Sequence, residues 1–235
     1  SVIIVHWNTP DELKKQLNLL KPKNDLEVIV VDNASKDSIQ YSRLIKNKSN
    51  FGYAKACNQG AKIAKGEWLL FLNPDTHISA HNILSFVKKA EELNYDASSL
   101  KPLSNNYSKP LPSALSLLTE FSPLKRFVPL SIFKQKTLFG GGLLIKKKVF
   151  ESIRGWDERF FLWFEDSDLT RRLLNNGYKI GWVDVPYRHD GGSSFKKLSD
   201  LKRREIFFTS MNQYSTKHFG FIGRAVVRFL TLLNK

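Results

Sequence analysis

The chain has 235 residues, 42% hydrophobic content and 17 Phe, enough to bury about 70% of its unfolded surface, so one sizeable domain with a small appendage is expected. Its single cysteine, Cys57, excludes an internal disulfide framework and a cluster of Cys and His ligands, and fits a reducing compartment. A net charge of +15 attracts polyanions without choosing among nucleic acid, anionic lipid and diphosphates, while no apolar run is long enough to span a bilayer and no signal-peptide succession is present.

In chain order, Val2-Ile3-Ile4-Val5 is a β-branched run ending at His6-Trp7-Asn8. Thr9-Pro10-Asp11-Glu12 reads as a capping box with Pro at the first helical position. Leu13, Leu17 and Leu20 give the helix that follows one apolar stripe, and Lys21-Pro22 closes it. Leu26 to Val31 is a second buried strand stopping at Asp32-Asn33-Ala34-Ser35, and a helix is expected from Ile39 to Ile45. Asn50-Phe51-Gly52 then leads into a helix with a small face, Ala54, Cys57, Ala61 and Ala64, ended by Gly66.

Trp68-Leu69-Leu70-Phe71-Leu72 reads as a strand buried on both faces that stops at Asn73-Pro74-Asp75-Thr76. Ligands of open α/β sheets gather outside the carboxyl ends of the strands, so Asp75 stands where a ligand or its metal would be; a plain turn is the competing reading. The alternation of strands and helices is that of a parallel sheet with right-handed crossovers, a Rossmann-like first half. Neither G-x-G-x-x-G nor a P-loop occurs, which argues against dinucleotide enzymes and P-loop phosphate chemistry.

Ser79 caps a further helix carrying Ile83, Phe86, Val87 and Ala90, and Ala97 to Leu100 is a short strand. Between Lys101 and Lys136 five prolines dissolve the periodicity, and no regular structure is assigned. Phe139 to Ile145 is a strand entered through Gly140-Gly141-Gly142, either a place of close approach or a hinge, and Lys146-Lys147-Lys148 reads as a solvated turn. The segment from Gly155 to Leu169 sets Trp156, Phe160, Phe161, Trp163 and Phe164 ahead of Glu165, Asp166 and Asp168, at the start of a helix with Leu169, Leu173 and Leu174 that ends at Gly177.

Acids there favour the helix N-terminus, and Asp168 is placed to pair with Arg172; an apolar wall beside a carboxyl also raises its pKa toward the range of proton transfer. Tyr178 to Val183 is a last strand, after which His189 lies beside Gly191-Gly192, where imidazole suits a divalent cation. Ser199 to His218 is a basic helical tract. Arginines at four-residue spacing then punctuate the apolar stretch Phe221 to Leu233, which suits a helix lying in a membrane surface or one docked on its own domain.

Taken together, Val2 to Asn8, Val30 to Ser35, Asn50 to Gly60, Leu72 to Thr76, Gly155 to Phe161, Glu165 to Leu169 and His189 to Ser193 resemble the family-2 inverting glycosyltransferases of the GT-A fold. The rhamnosyltransferase-like branch of bacterial surface-polysaccharide enzymes is the nearest match. The resemblance implies an α/β fold with a mostly parallel sheet flanked by helices, a catalytic domain over residues 1–198 and a basic helical extension over 199–235. It implies a nucleotide pocket from His6, Trp7, Asn8, Asp32, Asn50, Gly52, Asn58 and Asn73, with Asp32 on the pyrimidine base. Gly141, Gly142, Trp163 and Glu165 would line the donor and acceptor pocket. Asp75 would hold Mg²⁺ or Mn²⁺ with His189 as a further ligand, and Asp166 would be the base that deprotonates the acceptor. The implied donor is a UDP- or dTDP-sugar, dTDP-L-rhamnose among them, and the acceptor a lipid-linked or growing glycan. Work would take place at the cytoplasmic face of a membrane, with the C-terminus in peripheral contact.

Two departures stand out: Asn73 replaces the first acid of the family's D-x-D motif, and His6-Trp7 replaces the more usual Thr-Tyr. A basic loop near Lys196 and Lys197 is solvated or helps to neutralise the diphosphate. The rival classes are a nucleic-acid-binding protein, a nucleotidyltransferase and an inactive transferase-like domain. Nucleic acid is not the expected partner, since the lysines are spread widely and the acids sit at strand ends.

Overall fold

The computed structural model describes residues 1–20, 25–37, 39–102, 109–191 and 197–233. Seven strands form one sheet: β1 (Val2–His6), β2 (Val28–Asp32), β3 (Leu44–Lys46), β4 (Trp68–Leu72), β6 (Ala97–Leu100), β7 (Gly142–Lys146) and β8 (Ile180–Val183), while β5 (Thr76–His77) and β9 (Arg188–His189) pair separately. The sheet order is β3-β2-β1-β4-β7-β6-β8. Its pairings are parallel apart from those of β7, which runs antiparallel to both β4 and β6.

Alternation along the strands builds two cores. Ile3, Val5, Ile29 and Val31 face α2 (Tyr53–Ile63) through Ala54, Cys57 and Ala61, in a cluster that also takes in Leu169 and Leu173 of α6 (Glu165–Asn175). Val2, Ile4, Val28 and Val30 face the other way, with Leu13 of α1 (Pro10–Leu19) and Ile83 and Phe86 of α3 (Ala80–Glu92). Strands buried on both faces explain why the sequence reads as continuous apolar runs. Ser79 caps α3 by accepting from Asn82 N–H.

Four local readings are corrected. Thr9 does not cap α1 with its side chain, because its hydroxyl pairs with His6 Nδ1 at 3.0 Å. Residues 39–45 hold no helix among those described; the chain turns and enters β3, whose Leu44 and Ile45 pair with Val30 and Val31. The proline-rich stretch contains α4 (Ala114–Glu120), closed by a capping box between Ser113 and Ser116, followed by 3-10 turns at Pro123–Arg126 and Leu130–Ile132. The three lysines are not a solvated turn: Lys147 opens α5 (Lys147–Ser152), Lys146 pairs with Asp96 at 3.0 Å, and Lys147 donates to Ala64 O.

Of the two settings the sequence leaves open for the end of the chain, one is seen on the inner face of α7 (Asp200–Leu233), which bends at Gly220. Beyond the bend, Gly223, Val227 and Leu230 are buried, the last two in a cluster with Leu117, Phe160, Phe164, Met211 and Tyr214. The inner face of the terminal helix is therefore docked on its own domain. Among the described residues no helix is long and apolar enough to cross a membrane. The helix closure expected at Lys21-Pro22 lies outside the described residues.

Candidate active site

Parallel strands deliver their last residues to one edge, and three of them build a polar pocket there. His6 ends β1 fully buried, with Nδ1 against Thr9 Oγ1 and Nε2 against Ser35 Oγ, each at 3.0 Å. Burial lowers the pKa of this imidazole, outweighing the nearby Asp32 carboxylate, so the ring is neutral. Asp32 ends β2; its Oδ1 accepts from Ser35 N–H at 2.8 Å, while Oδ2 is buried with no partner among the described residues. A buried acceptor left open at a strand end asks for a donor from a ligand.

Asn33 ties this pocket to the next segment. Its Nδ2 donates to Asn50 Oδ1 and Gly52 O, and its Oδ1 accepts from Asn47 Nδ2 and Phe51 N–H. Gly52 has φ +87°, and a Cβ there would fall 2.6 Å from Phe161 O, so only glycine lets the aromatic segment approach. Asn8 accepts from Lys36 N–H and offers its carbonyl to Lys197 Nζ, and Trp7 is half-buried beside it. Asn58 is placed otherwise: its amide is committed to both backbone groups of Trp156 and to Glu158, which holds that turn on α2 rather than facing the strand ends.

Past β4, Asp75 is 4% exposed. The β5–β9 ribbon pairs Thr76 with His189 and sets His189 Nε2 at 3.6 Å from Asp75 Oδ1. Burial lowers the His189 pKa against the pull of Asp75 and Asp190, which favours the neutral imidazole. Asp190 accepts instead from His77, at 3.2 Å. Among the described residues no third His, Cys, Asp or Glu joins the pair. One carboxylate and one imidazole fit a cation that takes its remaining ligands from phosphate and water.

The glycine run approaches Asn73 past β4 and Asp166 of α6. Asn73 N–H donates to Gly141 O at 3.0 Å, and a Cβ on Gly141 would meet Asn73 Nδ2 at 2.4 Å. On the other side a Cβ on Gly140 would lie 3.2 Å from Asp166 Cβ. Gly142 turns elsewhere, onto Leu100 in the core. The glycines thus bring Asn73, at β4's polar end, and Asp166 of α6 against neighbouring positions of one bare backbone.

Trp163 and Phe164 both have positive φ, +67° and +65°, immediately before α6. Two consecutive non-glycine residues in that region cost on the order of 1–3 kcal/mol each, a strain that re-aims the chain into the helix. Trp163 packs on Phe207, with ring centroids at 5.8 Å. Glu165 is buried, and burial together with the neighbouring Asp166 charge pushes its pKa up to about 8. Burial also raises Asp166, which is half-buried and accepts from the backbone N–H groups of Ser167 and Gly140. Those donors and the charge of Lys109 favour its ionised form. The two acids are therefore divided, with Glu165 keeping its proton and Asp166 the better carboxylate.

Sequence reasoning assigned no role in the site to Asn33, Ser35 and Tyr53. Tyr53 OH donates to Gly140 O at 2.9 Å, fixing the glycine run from below. The signal for Asn33 and Ser35 was present in the Asp-Asn-x-Ser order after a buried strand; the contact of Tyr53 crosses 87 residues and had none. Gly192, Ser193 and Lys196 lie outside the described residues.

A mostly parallel sheet flanked by helices, with its polar strand ends gathered at one edge, is the GT-A fold. The model of glycosyl transferase family 2 matches residues 1–154, and the chain belongs to that family. A second model, described as the N-terminal domain of galactosyltransferase, matches residues 131–193. The chain is 25% identical over 227 residues to a rhamnosyltransferase of Escherichia coli, covering 83% of this chain and 85% of that protein. It is 24% identical over 227 residues to an N-acetylglucosaminyl-diphospho-decaprenol L-rhamnosyltransferase of Mycobacterium tuberculosis, covering 78% and 72%. A mannosyltransferase from Pyrobaculum calidifontis, solved with GDP-Man and Mn²⁺, superposes with a TM-score of 0.59 over 99% of this chain and 73% of its own, at 14% identity. That last likeness is one of fold.

Proposed function

We propose that the protein moves a sugar, with inversion at the anomeric carbon, from a UDP- or dTDP-sugar to a lipid-linked or growing glycan. L-Rhamnose is the sugar that the rhamnosyltransferase relatives favour. The observation that carries this reading is the division across Gly140-Gly141: Asn73 packs on Gly141 and Asp166 on Gly140. Displacement from the face opposite the leaving group needs that separation, with a base on one side and charge stabilisation on the other.

Asp32 Oδ2 would accept a ring N–H of the pyrimidine, and the neutral His6 and Asn8 would line the nucleoside. Asp75 and His189 would hold Mg²⁺ or Mn²⁺, which when bound offsets the negative charge of the diphosphate. Asp166 takes the acceptor hydroxyl proton as the acceptor oxygen bonds to the anomeric carbon and the bond from that carbon to the diphosphate oxygen breaks. Glu165, protonated and buried, keeps a second negative charge away from the carboxylate that must work. Residues 1–198 would form the catalytic domain and 199–235 the extension that meets the cytoplasmic face of the membrane, where a lipid-linked acceptor is presented.

The test is Asp166→Asn. Turnover should fall by about 10²–10⁴, while calorimetric titration with UDP and dTDP in Mn²⁺ gives the wild-type affinity. Wild-type turnover in this variant would remove Asp166 as the base; purine nucleotides binding as well as pyrimidine ones would remove the donor class.

A further inference from the structure

The inner face of the terminal helix is docked, yet its outer face is apolar as well. Phe221 is 84% exposed, Ile222 66% and Leu232 67%, and with Phe229 they fall on the side opposite Val227 and Leu230. Arg224 and Arg228 are exposed on the same helix. A second exposed apolar set lies on the 3-10 turns after α4, where Phe127 is 80% exposed, Ile132 53% and Leu124 47%, beside exposed Lys125, Arg126 and Lys134. Both sets stand on one cluster. Leu117 and Phe121 enter it from the α4 side and Val227 and Leu230 from the terminal helix, with Phe121 and Phe207 rings 5.4 Å apart.

Sequence charge is equally one-sided. No acidic residue occurs from Phe121 to Lys136 or from Ile206 to Lys235. Large apolar side chains among cations with no anion between them match the interface of an anionic bilayer, into which the former insert and to which the latter are drawn. A two-fold pairing of this face with a second copy would set like charges against each other.

We propose that the 3-10 turns and the outer face of the terminal helix form one bipartite surface that docks on an anionic lipid bilayer. It rests on the membrane contact in the reading above and adds an element from the middle of the chain. Phe207, which touches Phe121, also touches Trp163 and Phe164, with centroids at 5.8 and 5.4 Å. An aromatic chain from Phe121 of α4 through Phe207 to Trp163 and Phe164 thus links the base of this surface to the residues just ahead of Glu165 and Asp166, the side from which a lipid-linked acceptor held in the bilayer would arrive.

Flotation of the full chain with phosphatidylcholine vesicles, with and without phosphatidylglycerol, tests this. Binding should require phosphatidylglycerol and weaken with salt; Phe127→Asp and Ile222→Asp should each lower it several-fold, and together by about tenfold or more. Both side chains are exposed, so the melting temperature should not move, and UDP or dTDP affinity should be kept. Absence of binding, equal binding to neutral vesicles, wild-type flotation of Phe127→Asp, or a dimer in sedimentation that the same variants dissolve would each overturn the surface. Nucleotide titration separates the two readings: a chain that floats without binding a nucleotide loses the transferase assignment and keeps the surface, and the converse result does the reverse.

Discussion

The carboxyl ends of β1, β2 and β3 and the start of α6 serve one reaction in the proposed function but are built on opposite principles. At the strand ends the polar groups are mostly neutral amides, hydroxyls and an imidazole that answer one another, Asn33 alone making four hydrogen bonds. At α6 three carboxyl groups occur within four residues, behind two left-handed residues and an aromatic wall. A pocket that must fit a nucleoside gains from satisfied, rigid neighbours; a base must hold a proton loosely, and burial with limited compensation does that. The second arrangement stores cost that other contacts offset. Asp168 is the clearest offset.

Asp168 is fully buried two residues after Asp166, yet its pKa moves the other way. Burial acts to raise it, but a hydrogen bond from His218 at 2.8 Å, Arg172 at 2.8 Å and Lys217 at 2.5 Å overcome that and hold it low. Because the folded pKa is depressed, this carboxylate stabilises the fold above the ordinary acid range, and the contribution fades as pH falls through the folded value. Asp168→Asn should produce the largest effect, a loss of about 3–5 kcal/mol in urea unfolding near pH 7, since cations from α6 and α7 stay buried without their anion. The variant should also lose less stability than wild type on acidification. A loss under about 1 kcal/mol would mean that water reaches these cations and that the α6–α7 joint is held by its aromatic cluster instead.

On the opposite side of the comparison, Asn33→Ala should cost about 1–3 kcal/mol, because it strips partners from Asn47 and Asn50 while leaving the charges alone. Its sharper signature is functional. UDP or dTDP affinity should fall, whereas Asp168→Asn should change affinity little, and calorimetry of both variants reads the contrast. Equal affinity losses would show that the strand ends and α6 behave as one unit.

Much of this division was legible in the chain. Buried parallel strands announce themselves as Val, Ile and Leu runs, and each stops at a polar turn, so β1, β2 and β4 and the residues Asp32 and Asp75 after or at their ends followed from local pattern. The same reading gave the acids of α6 and the Asp168 and Arg172 pair, which needs only helical spacing. What failed lay where tertiary contacts override local signals. Thr9 looks like a cap, but His6 takes its hydroxyl; residues 39–45 carry helical spacing, but an open edge of β2 recruits Leu44 and Ile45. Asn58 belongs to a motif whose sequence neighbours approach the pocket, while its own amide faces Trp156, 98 residues away. The fold-back of the terminal helix depends on Gly220 at φ +56°, and a lone glycine in an apolar tract does not declare its backbone angle.

Glu165 gives the finest test of the contrast, because the predicted change is in slope rather than in size. Its pKa rises from the ordinary 4.5 to about 8, first through burial and then through the Asp166 charge. The folded protein thus keeps a proton that the unfolded chain releases, and between about pH 4.5 and 8 wild-type stability falls as pH rises, levelling above the folded value. Glu165→Gln has no proton to lose there. Wild type and variant should be closest near the acid end of that window and diverge steadily toward its upper end, the variant being the more stable in urea midpoints at high pH. Turnover should stay within a few-fold if Asp166 alone accepts the proton, and its pH profile should keep its acid limb, since below about pH 8 the substitution exchanges one neutral group beside Asp166 for another. Parallel stability curves would mean that Glu165 is ionised in the fold and that solvent, not the aromatic wall, sets its charge. Loss of turnover in Glu165→Gln beside retention in Asp166→Asn would exchange the roles of the two acids and leave the geometry of the site unchanged.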